Sequence, residues 1–451
     1  SQSSPTGTQY LQAVGTAMAA KVAGEGAIVY VSSGEGTTSQ GEFHEALNWA
    51  SRDKLPVLFH IEDNGFAISL PKASQMAEGS VFDMVGGYHN LNRLETDGTD
   101  IFTAQKTFRK AISSVRRGDG PAIVVSNVVR LLPHSSSDDH RKYREAEDLA
   151  EDQKRDPLEK FKKLCEDDGV ITADEFRQIW DDVVQAVDDV ADKTQKAPFP
   201  DKSEAITHVV NETVLQIESP EPKTRGDDIV IVDAINHALH EEMARNDKMI
   251  IYGQDVADGK GGVFTATKQL STVYGPDRVF SSPLAEASIV GTAVGAAVAG
   301  LKPVVEIQFG DYIWTAMMQI RNEVATMRYR SNNAFTAPVV MRVPVGGYIH
   351  GGLCHSQSIE GFFMHLPGIH IAYPSNAADA KGLLKYACRI DDPVLFLEHK
   401  GMYRQGFAKR PEPDEDYLLP FGQAAIAREG HDLTIVTYGM MVHKAVEAAK
   451  T

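Results

Sequence analysis

Cysteine is scarce in this sequence: Cys165, Cys354 and Cys388 are the only three in 451 residues, and their wide spacing forms no pair. This excludes the disulfide framework of small secreted domains and a cysteine-based zinc site, and it favours a reducing compartment. Long apolar runs are also missing, because the most apolar stretch, 289–301, is shorter than the ~20 residues that span a bilayer. Residues 1–10 are polar, unlike a secretory signal peptide. The sequence therefore predicts a cytoplasmic protein without a membrane segment.

Positive charge is in deficit as well, with 45 Lys and Arg against 62 Asp and Glu and a formal net charge of −17. This excess of negative charge argues against a surface that binds nucleic acid. Hydrophobic residues make up 42% of the chain, which is ordinary for a soluble globular protein. A chain of this length is expected to fold into two or three domains.

Two blocks of the chain alternate apolar runs with helix-like segments. In residues 10–130, the runs GAIVYVSS, LPVLFHIE and GPAIVVSNVVR read as buried parallel strands, and residues 39–52 read as a crossover helix. In the second block, the strand candidates are KMIIYG, KPVVEIQF, APVVMRVP, GIHIAYP and PVLFLEH. The segment SIVGTAVGAAVAG is a helix whose small residues allow close packing on a sheet. The pattern predicts the α/β class.

The remaining segments divide the chain into units. Residues 140–225 contain two charged amphipathic helices followed by Pro- and Gly-containing breaks, so we expect a helical arm and linker there. After Pro411, the segment DLTIVTYG and a following helix begin a further α/β unit. The predicted domains are 1–139, 140–225, 226–408 and 409–451.

Two strand ends in the first block carry side-chain oxygens. Glu35 lies between Gly34 and Gly36 where a strand gives way to a loop, and Asn64 follows the next strand 29 residues later. One strand–helix–strand excursion brings both to the carboxyl edge of a parallel sheet, where ligands bind. Glycines let backbone amides approach a phosphate, and the two oxygens suit Mg²⁺ beside a diphosphate and water. The alternative is a surface turn and an unrelated Asx turn, which the tripeptide alone does not exclude.

The whole stretch, GEGTTSQGEFHEALNWAS followed by DNGFAIS, resembles the thiamin-diphosphate-binding motif. In particular it resembles the alpha subunit of the 2-oxo acid dehydrogenases that act on pyruvate or branched-chain 2-oxo acids. The resemblance implies that Glu35 and Asn64 bind magnesium together with the carbonyl of Phe66. It also implies that Gly36 and Thr37 contact the cofactor diphosphate.

Two further stretches match the alpha subunit. RLLPHSSSDDHRKYR is similar to the family's His-Ser-x-Ser-Asp-Asp loop over the active site, which implies that His134 approaches the diphosphate and the substrate. The alternative is a Ser-rich surface loop. SSPTGTQ matches the family's potassium loop, which adds K⁺ as a candidate ligand beside the alternative of an ordinary helix start. The matching positions are Ser3, Pro5, Thr8 and Gln9.

Almost all of residues 228–405 resembles the beta subunit of the same enzymes, through FSSPLAEASIVG, EIQFGDYIWTAMMQIRNE and GGLCHSQSIEGFFMHLPGI. By this resemblance Glu286 contacts the pyrimidine ring of the cofactor, and Tyr312 packs on that ring. Gln308 would line the substrate pocket with Tyr312, and His355 would act as an acid or base. The alternatives are a first-turn acid favoured by the helix dipole, aromatic packing and a structural histidine.

The resemblance implies a fused alpha–beta dehydrogenase component with two three-layer α/β/α domains that bind thiamin diphosphate and Mg²⁺. The implied reaction is the oxidative decarboxylation of a 2-oxo acid, with transfer of the acyl group to a lipoyl domain of a dihydrolipoyl acyltransferase. EIQFGDYI and MRYRS look closest to the branched-chain enzymes. Family sites form between domains of different subunits, so a homodimer of the fused chain is expected, with no nucleic-acid or membrane partner.

The match is incomplete in ways that leave alternatives open. Asp63 replaces the first Asn of the family's pair. The first part of the alpha subunit and most of the last beta-subunit domain are absent, so we expect a partial chain. The alternatives are a pyruvate dehydrogenase component, a transketolase or deoxyxylulose-phosphate synthase, and a catalytically silent assembly fragment that docks an acyltransferase. Transketolase-type enzymes lack the His-Ser-x-Ser-Asp-Asp loop, and cofactor titration would identify a silent fragment.

Overall fold

The computed structural model describes residues 4–77, 79–213, 215, 217, 221–349 and 351–450. The chain forms two compact units: Glu25–Thr207 is one, and Ser1–Gly24 together with His208–Thr451 is the other. These units do not coincide with the predicted domains, because the first 24 residues group with the second α/β block. The domain boundaries drawn from the sequence stay a prediction.

Helices of very different lengths occur in both units. In the described residues they are α1 (Thr8–Ala23), α2 (Gly41–Asp53), α3 (Val81–Met84), α4 (Ile101–Arg116), α5 (Ala146–Lys154), α6 (Pro157–Asp167), α7 (Ala173–Gln195), α8 (Ile231–Arg245), α9 (Leu270–Tyr274), α10 (Glu286–Val298), α11 (Met317–Gln319), α12 (Met327–Arg330), α13 (Glu360–Phe363), α14 (Ala377–Arg389) and α15 (Met440–Ala448).

Strands are short, as in most α/β proteins. In the same residues they are β1 (Val29–Gly34), β2 (Val57–Asp63), β3 (Phe66–Ala67), β4 (Leu70–Pro71), β5 (Asn92–Asp97), β6 (Ala122–Asn127), β7 (Arg225–Ile229), β8 (Met249–Gly253), β9 (Val279–Ser281), β10 (Lys302–Glu306), β11 (Val340–Val345), β12 (His370–Ala372), β13 (Val394–His399) and β14 (Arg410–Pro413).

The unit Glu25–Thr207 is built on a four-stranded parallel sheet of order β1-β2-β6-β5. Its central strands β2 and β6 are almost fully buried, as their apolar runs predict. The crossover helix predicted at 39–52 is α2, which buries Phe43, Ala46, Leu47 and Ala50. The edge strand β5 was missed because its sequence, NRLETD, is polar and buries only Thr96.

The second unit contains a six-stranded parallel sheet of order β12-β13-β11-β10-β8-β9. All five strands predicted in this block are present, and every residue of β8, β10 and β11 is buried. Two features were not predicted from the sequence: the three-residue strand β9 and the antiparallel pair β7–β14. These parallel sheets confirm the predicted α/β class.

Helices α1 and α10 cross at backbone contact inside the second unit. A Cβ atom built on Gly15 would lie 1.8 Å from the carbonyl oxygen of Thr292, and one built on Gly295 would lie 1.8 Å from that of Gln12. Only glycine leaves room for such an approach. The small residues of SIVGTAVGAAVAG therefore serve a helix–helix contact in addition to packing on the sheet.

The arm predicted at 140–225 does contain helices, namely α5, α6 and α7. Helix α7 begins with a capping box in which Thr172 and Glu175 satisfy each other's backbone amides. The segment DLTIVTYG does not form the predicted strand, although α15 follows it. Leu433, Ile435 and Val436 are exposed there, and no described strand pairs with the segment. Among the described residues, no helix combines the length and apolarity needed to cross a lipid bilayer.

Candidate active site

The carboxyl ends of β1 and β2 place Glu35 beside Asn64, as the spacing predicts. The two strands are parallel neighbours with Gly34 opposite Glu62, so the residues that follow them meet at one sheet edge. The backbone N–H of Asn64 donates to Oε2 of Glu35 at 3.3 Å. Only 1% of the Glu35 surface is exposed. A carboxylate is thus held inside the protein at the edge where ligands bind.

The other carboxylate oxygen of Glu35, Oε1, is buried and has no hydrogen-bond partner among the described residues. Burial raises the pKa of Glu35, and the nearby charge of Asp63 raises it further. A buried charged oxygen without a partner is unfavourable unless a cation or proton compensates it. The environment of Glu35 therefore fits a cation ligand.

The turn after β2 presents oxygen atoms next to Glu35. The side-chain oxygen of Asn64 accepts the N–H of Phe66 at 3.2 Å, which closes an Asx turn through Gly65, at φ +83°. The Asx turn that served as the alternative interpretation is therefore present, but it lies beside Glu35. Asp63 accepts the N–H of Gly65 and pairs with the ammonium of Lys72 at 2.7 Å. The substitution of Asp for the first family Asn is thus neutralised locally.

Gly36 and Thr37 lie in the single 3₁₀ turn, Glu35–Ser39, that follows β1. A Cβ atom on Gly36 would lie 2.6 Å from Cβ of Ala67 in β3, so no larger residue fits. Thr38 fixes the turn by donating to the carbonyl of Glu35 at 2.7 Å. The glycine is required here for close packing, and contact with a diphosphate stays a prediction.

The loop that carries His134 is ordered by Asp138. This carboxylate accepts the backbone N–H of His134 at 2.9 Å and the hydroxyl of Tyr143 at 2.6 Å. The hydrogen bond from Tyr143 is the main reason that the pKa of Asp138 is lowered. His134 itself is exposed, as either a catalytic loop or a plain Ser-rich loop would allow.

Arg130 links this loop to the turn after β2. Its guanidinium donates to the carbonyl of Ile68 at 2.8 Å and to the hydroxyl of Tyr143 at 2.9 Å. The guanidinium groups of Arg130 and Arg144 also lie 5.6 and 4.9 Å from the centre of the Phe66 ring. The turn after β2, which carries the predicted metal ligands Asn64 and Phe66, is thus connected to the His134 loop in the Glu25–Thr207 unit.

In the second unit, Glu286 is the first residue of α10, after the short strand β9. Its carboxylate accepts hydrogen bonds from Nε2 of Gln254 at 3.1 Å and from the hydroxyl of Thr315 at 3.2 Å. The position agrees with a first-turn acid favoured by the helix dipole. The two donors go beyond what a dipole requires, because they fix the orientation of the carboxylate.

Tyr312 and His355 are hydrogen-bonded to each other, with 2.7 Å between the phenol oxygen and Nε2. Phe309 packs edge-on against both rings, with centroid distances of 5.3 and 4.9 Å. The side-chain amide of Gln308, the predicted pocket residue, donates to Asp255 at 2.8 Å. A tyrosine–histidine pair of this kind can hold or move a proton.

The predicted potassium loop is only partly described, because Ser3 lies outside the described residues. The hydroxyl of Thr8 lies 3.3 Å from the carbonyl oxygen of Pro5 and 3.0 Å from Oε1 of Glu323. Oε1 of Gln9 accepts the N–H of Gly7 at 3.1 Å. These contacts lie at the start of α1, as the alternative of an ordinary helix start allows. Potassium binding stays a prediction.

The predicted site residues therefore fall into two sets, one in each unit. One set contains Glu35, Asn64 and Phe66 with Gly36 and Thr37, and His134 lies on the loop that Arg130 joins to it. The other set contains Glu286, Tyr312, His355 and Gln308. No cluster of three or more His, Cys, Asp or Glu that could hold a metal occurs in the described ranges.

Sequence reasoning missed the residues that support the sites. Gln254 directly follows β8 in the stretch GQDVADG, so its place at a strand end was a usable signal. Arg130 opens the loop motif and Lys72 follows the metal turn, but their contacts depend on tertiary folding. Supporting residues of this kind have no local pattern, which is why the structure is needed to find them.

Comparison with known proteins identifies both halves of the chain. Residues 1–203 match the family model Dehydrogenase E1 component, residues 227–405 match Transketolase, pyrimidine binding domain, and residues 422–451 match Transketolase, C-terminal domain.

Curated relatives match the second half at high identity. The chain is 50% identical over 219 residues to the 2-oxoisovalerate dehydrogenase subunit beta of Bacillus subtilis, covering 49% of this chain and 66% of the relative. It is 43% identical over 221 residues to the pyruvate dehydrogenase E1 component subunit beta of the same organism, covering 49% and 67%. For the mitochondrial 2-oxoisovalerate dehydrogenase subunit beta of Chaetomium thermophilum the values are 44% over 222 residues, covering 49% and 46%.

The chain thus spans about two thirds of the length of the two bacterial relatives. The relatives match the beta-like half, and the E1 family model covers the alpha-like half ahead of it in the same chain. The chain belongs to the thiamin-diphosphate-dependent E1 dehydrogenase family of 2-oxo acid dehydrogenases, with alpha-like and beta-like parts fused.

Proposed function

We propose that this chain carries out the oxidative decarboxylation of a branched-chain 2-oxo acid as part of a 2-oxo acid dehydrogenase complex. The observation that carries the proposal is the buried, unpartnered oxygen of Glu35 beside Asn64 at a sheet edge. A silent scaffold has no need to retain such a costly group. The 50% identity to a 2-oxoisovalerate dehydrogenase subunit supports a branched-chain substrate.

In the proposed site the alpha-like residues hold the charged end of the cofactor. Glu35, Asn64 and the carbonyl of Phe66 would bind Mg²⁺, with Gly36 and Thr37 against the diphosphate. Thiamin diphosphate, when bound, supplies an electron sink for the carbon–carbon bond that is cleaved. The buried setting of Glu35 favours a ligand of opposite charge there.

The beta-like residues would act on protons. Glu286, oriented by Gln254 and Thr315, would hydrogen-bond a nitrogen of the pyrimidine ring and set its protonation state. Tyr312 would pack on that ring. His355, paired with Tyr312, and His134 would donate protons and stabilise oxyanions.

We further propose that the acyl group passes to the lipoyl domain of a dihydrolipoyl acyltransferase, and that the fused chain acts as a homodimer in the cytoplasm. The acyltransferase proposal rests on the family membership, since E1 components act with an acyltransferase. The homodimer rests on the family resemblance, and the cytoplasmic location rests on the scattered cysteines and the polar first residues. Pyruvate is the second candidate substrate, because a pyruvate dehydrogenase subunit is 43% identical to this chain.

The substrate test is a panel of 2-oxo acids assayed on the full-length enzyme with an artificial electron acceptor. We expect kcat/KM for 3-methyl-2-oxobutanoate to exceed that for pyruvate by about 10–200-fold, the usual discrimination for one methylene group in an apolar pocket. The reverse order would assign the protein to pyruvate.

The cofactor test is calorimetric titration with thiamin diphosphate in the presence and absence of Mg²⁺. We expect Glu35→Ala to abolish metal-dependent binding, whereas Glu62→Ala, an exposed acid at the end of β2, should bind as the parent does. Unchanged affinity in Glu35→Ala would disprove the site. Absence of binding by the parent chain would favour the silent assembly fragment.

A further inference from the structure

A cavity of about 210 Å³ lies in the second unit beyond the ends of β8, β11 and β13. Its lining includes Val263, Phe264, Tyr348, Lys400 and Arg404. The volume is below the ~300–1,000 Å³ of pockets for drug-sized ligands, so it suits a small one. Arg404 and Tyr348 are exposed at the rim, which leaves the cavity open to solvent.

Lys400 is the unusual residue of this cavity. Only 1% of its surface is exposed, and its ammonium has no hydrogen-bond partner within the described part of the chain. Burial lowers the pKa of Lys400 to about 8, and the charge of Asp311 only partly opposes this effect. Across the same residues, no carboxylate lies within 4.0 Å of the ammonium. A buried cation in this state is stabilised by an anion that enters from outside.

Two of the acidic groups near the cavity, Glu398 and Glu306, are already committed to other partners. Glu398 is held by a bidentate pair with Arg342, at 2.8 and 2.9 Å, and accepts the hydroxyl of Tyr403 at 2.6 Å. Glu306 accepts a third hydrogen bond from the guanidinium of Arg342, at 2.7 Å. Because this network satisfies both carboxylates, neither is available to Lys400. Asp311 is the acid whose charge acts on Lys400, and its Oδ1 is buried without a hydrogen-bond partner, but in the described residues it forms no ion pair with the ammonium.

Aromatic rings lie near the ammonium, and one of them, Phe264, lines the cavity. The centre of the Phe309 ring lies 5.4 Å from the ammonium of Lys400. The Phe264 ring packs against the rings of Phe309 and Tyr403, with centroid distances of 5.8 and 5.2 Å. Arg404 fixes the wall by donating to the carbonyl of Phe264 and the hydroxyl of Thr265. The cavity therefore offers one cation at a buried end and an apolar surface beside it.

We propose that this cavity binds a small aliphatic carboxylate, with the carboxylate on the ammonium of Lys400 and the hydrocarbon part against Val263 and Phe264. The residues that line the cavity do not include Glu286, Tyr312 or His355, although the ring of Phe309 lies near Lys400 and packs against Tyr312 and His355. It goes beyond the proposed function, because it requires neither thiamin diphosphate nor a lipoyl group.

The test is calorimetric titration of the full chain, without cofactor, with 2-methylpropanoate as the probe. We expect saturable binding of one molecule per chain, weakened at least tenfold by Lys400→Met and unchanged by Lys409→Met, which removes an exposed lysine nearby. The neutral 2-methylpropanamide should not bind. Equal binding of inorganic phosphate would show a general anion site and overturn the carboxylate assignment.

A second measurement uses the parent chain alone, in case Lys400→Met does not fold. Lys400 is reductively methylated with formaldehyde and borohydride, and its modification is read by peptide mass spectrometry. We expect 2-methylpropanoate to slow modification of Lys400 at least fivefold while Lys409 reacts at an unchanged rate. Equal rates with and without the carboxylate would disprove the site.

Discussion

At the scale of single residues, the position of Glu286 is compatible with two interpretations, a helix-stabilising acid and a catalytic carboxylate. A carboxylate in the first turn of a helix is stabilised by the dipole, and that alone would explain its presence. The donors Gln254 and Thr315 fix its direction, which a dipole effect does not need. The orientation is therefore the argument for a role in catalysis.

We predict that Glu286→Gln folds normally but slows proton exchange at the thiazolium carbon of bound thiamin diphosphate by about 10²–10⁴-fold, the usual contribution of a positioned acid or base. The exchange is measured by NMR in deuterated buffer on the complete enzyme. Asp233→Asn, which removes a first-turn acid of α8, is the matched control and should exchange normally. A rate within a few-fold of the parent would leave only the dipole interpretation.

The Asp63–Lys72 pair is a second prediction at this scale. Asp63 is 5% exposed, so Lys72→Met leaves a buried carboxylate without its cation. We expect a loss of about 1–3 kcal/mol in the free energy of unfolding, because Lys72 is partly exposed and solvent screens part of the pair.

The control for this pair is a double-mutant cycle followed by urea denaturation. Asp63→Asn restores the residue of the family motif and removes the charge that Lys72 neutralises. Asp63→Asn with Lys72→Met should therefore regain most of the stability that Lys72→Met loses. Additive losses would show that the two side chains do not act as a pair.

The residues that carry the candidate site could be predicted from the sequence because they lie at strand ends within recognisable motifs. Glu35 and Asn64 are an example, since one βαβ excursion fixes where they meet. Lys72 and Arg130 could not, because nothing in their local sequence indicates which groups they contact. The Tyr312–His355 bond belongs to the same group, since 43 residues separate its partners.

At the scale of elements, the α1–α10 crossing depends on glycine. We predict that Gly295→Val costs about 3 kcal/mol or more, because its side chain would collide with the backbone of α1 and neither helix can move without disturbing the core. The measurement is thermal unfolding of the second unit. Val298→Thr, on a partly exposed position of α10, should cost much less. A stable Gly295→Val would show that the helices can separate.

The same scale shows where strand prediction succeeds. Apolar runs such as VLFHIED and KPVVE gave β2 and β10, because central parallel strands are buried on both faces. The polar edge strand β5 and the three-residue β9 lack that signal. DLTIVTYG has the signal but no described strand partner, so composition alone was insufficient there.

At the scale of the whole molecule, the proposed acyl transfer to a partner protein gives a test of the role of His355. We predict that His355→Ala impairs acyl transfer to a lipoyl domain while leaving the melting temperature nearly unchanged. Decarboxylation with an artificial acceptor should fall less, because that assay does not use the lipoyl group. His365→Ala, at an exposed position nearby, is the control. If both activities fall together and the protein melts earlier, His355 is structural.

The bonds of Arg130 also have a thermodynamic consequence. Since Arg130 joins the carbonyl of Ile68 to Tyr143, a cation that rigidifies the turn after β2 should also order the His134 loop, and the coupling must be equal in both directions. We predict that Mg²⁺ with thiamin diphosphate slows proteolysis within residues 132–137 and that Arg130→Met removes most of this protection. A protease could then report metal occupancy from a loop that does not bind the metal.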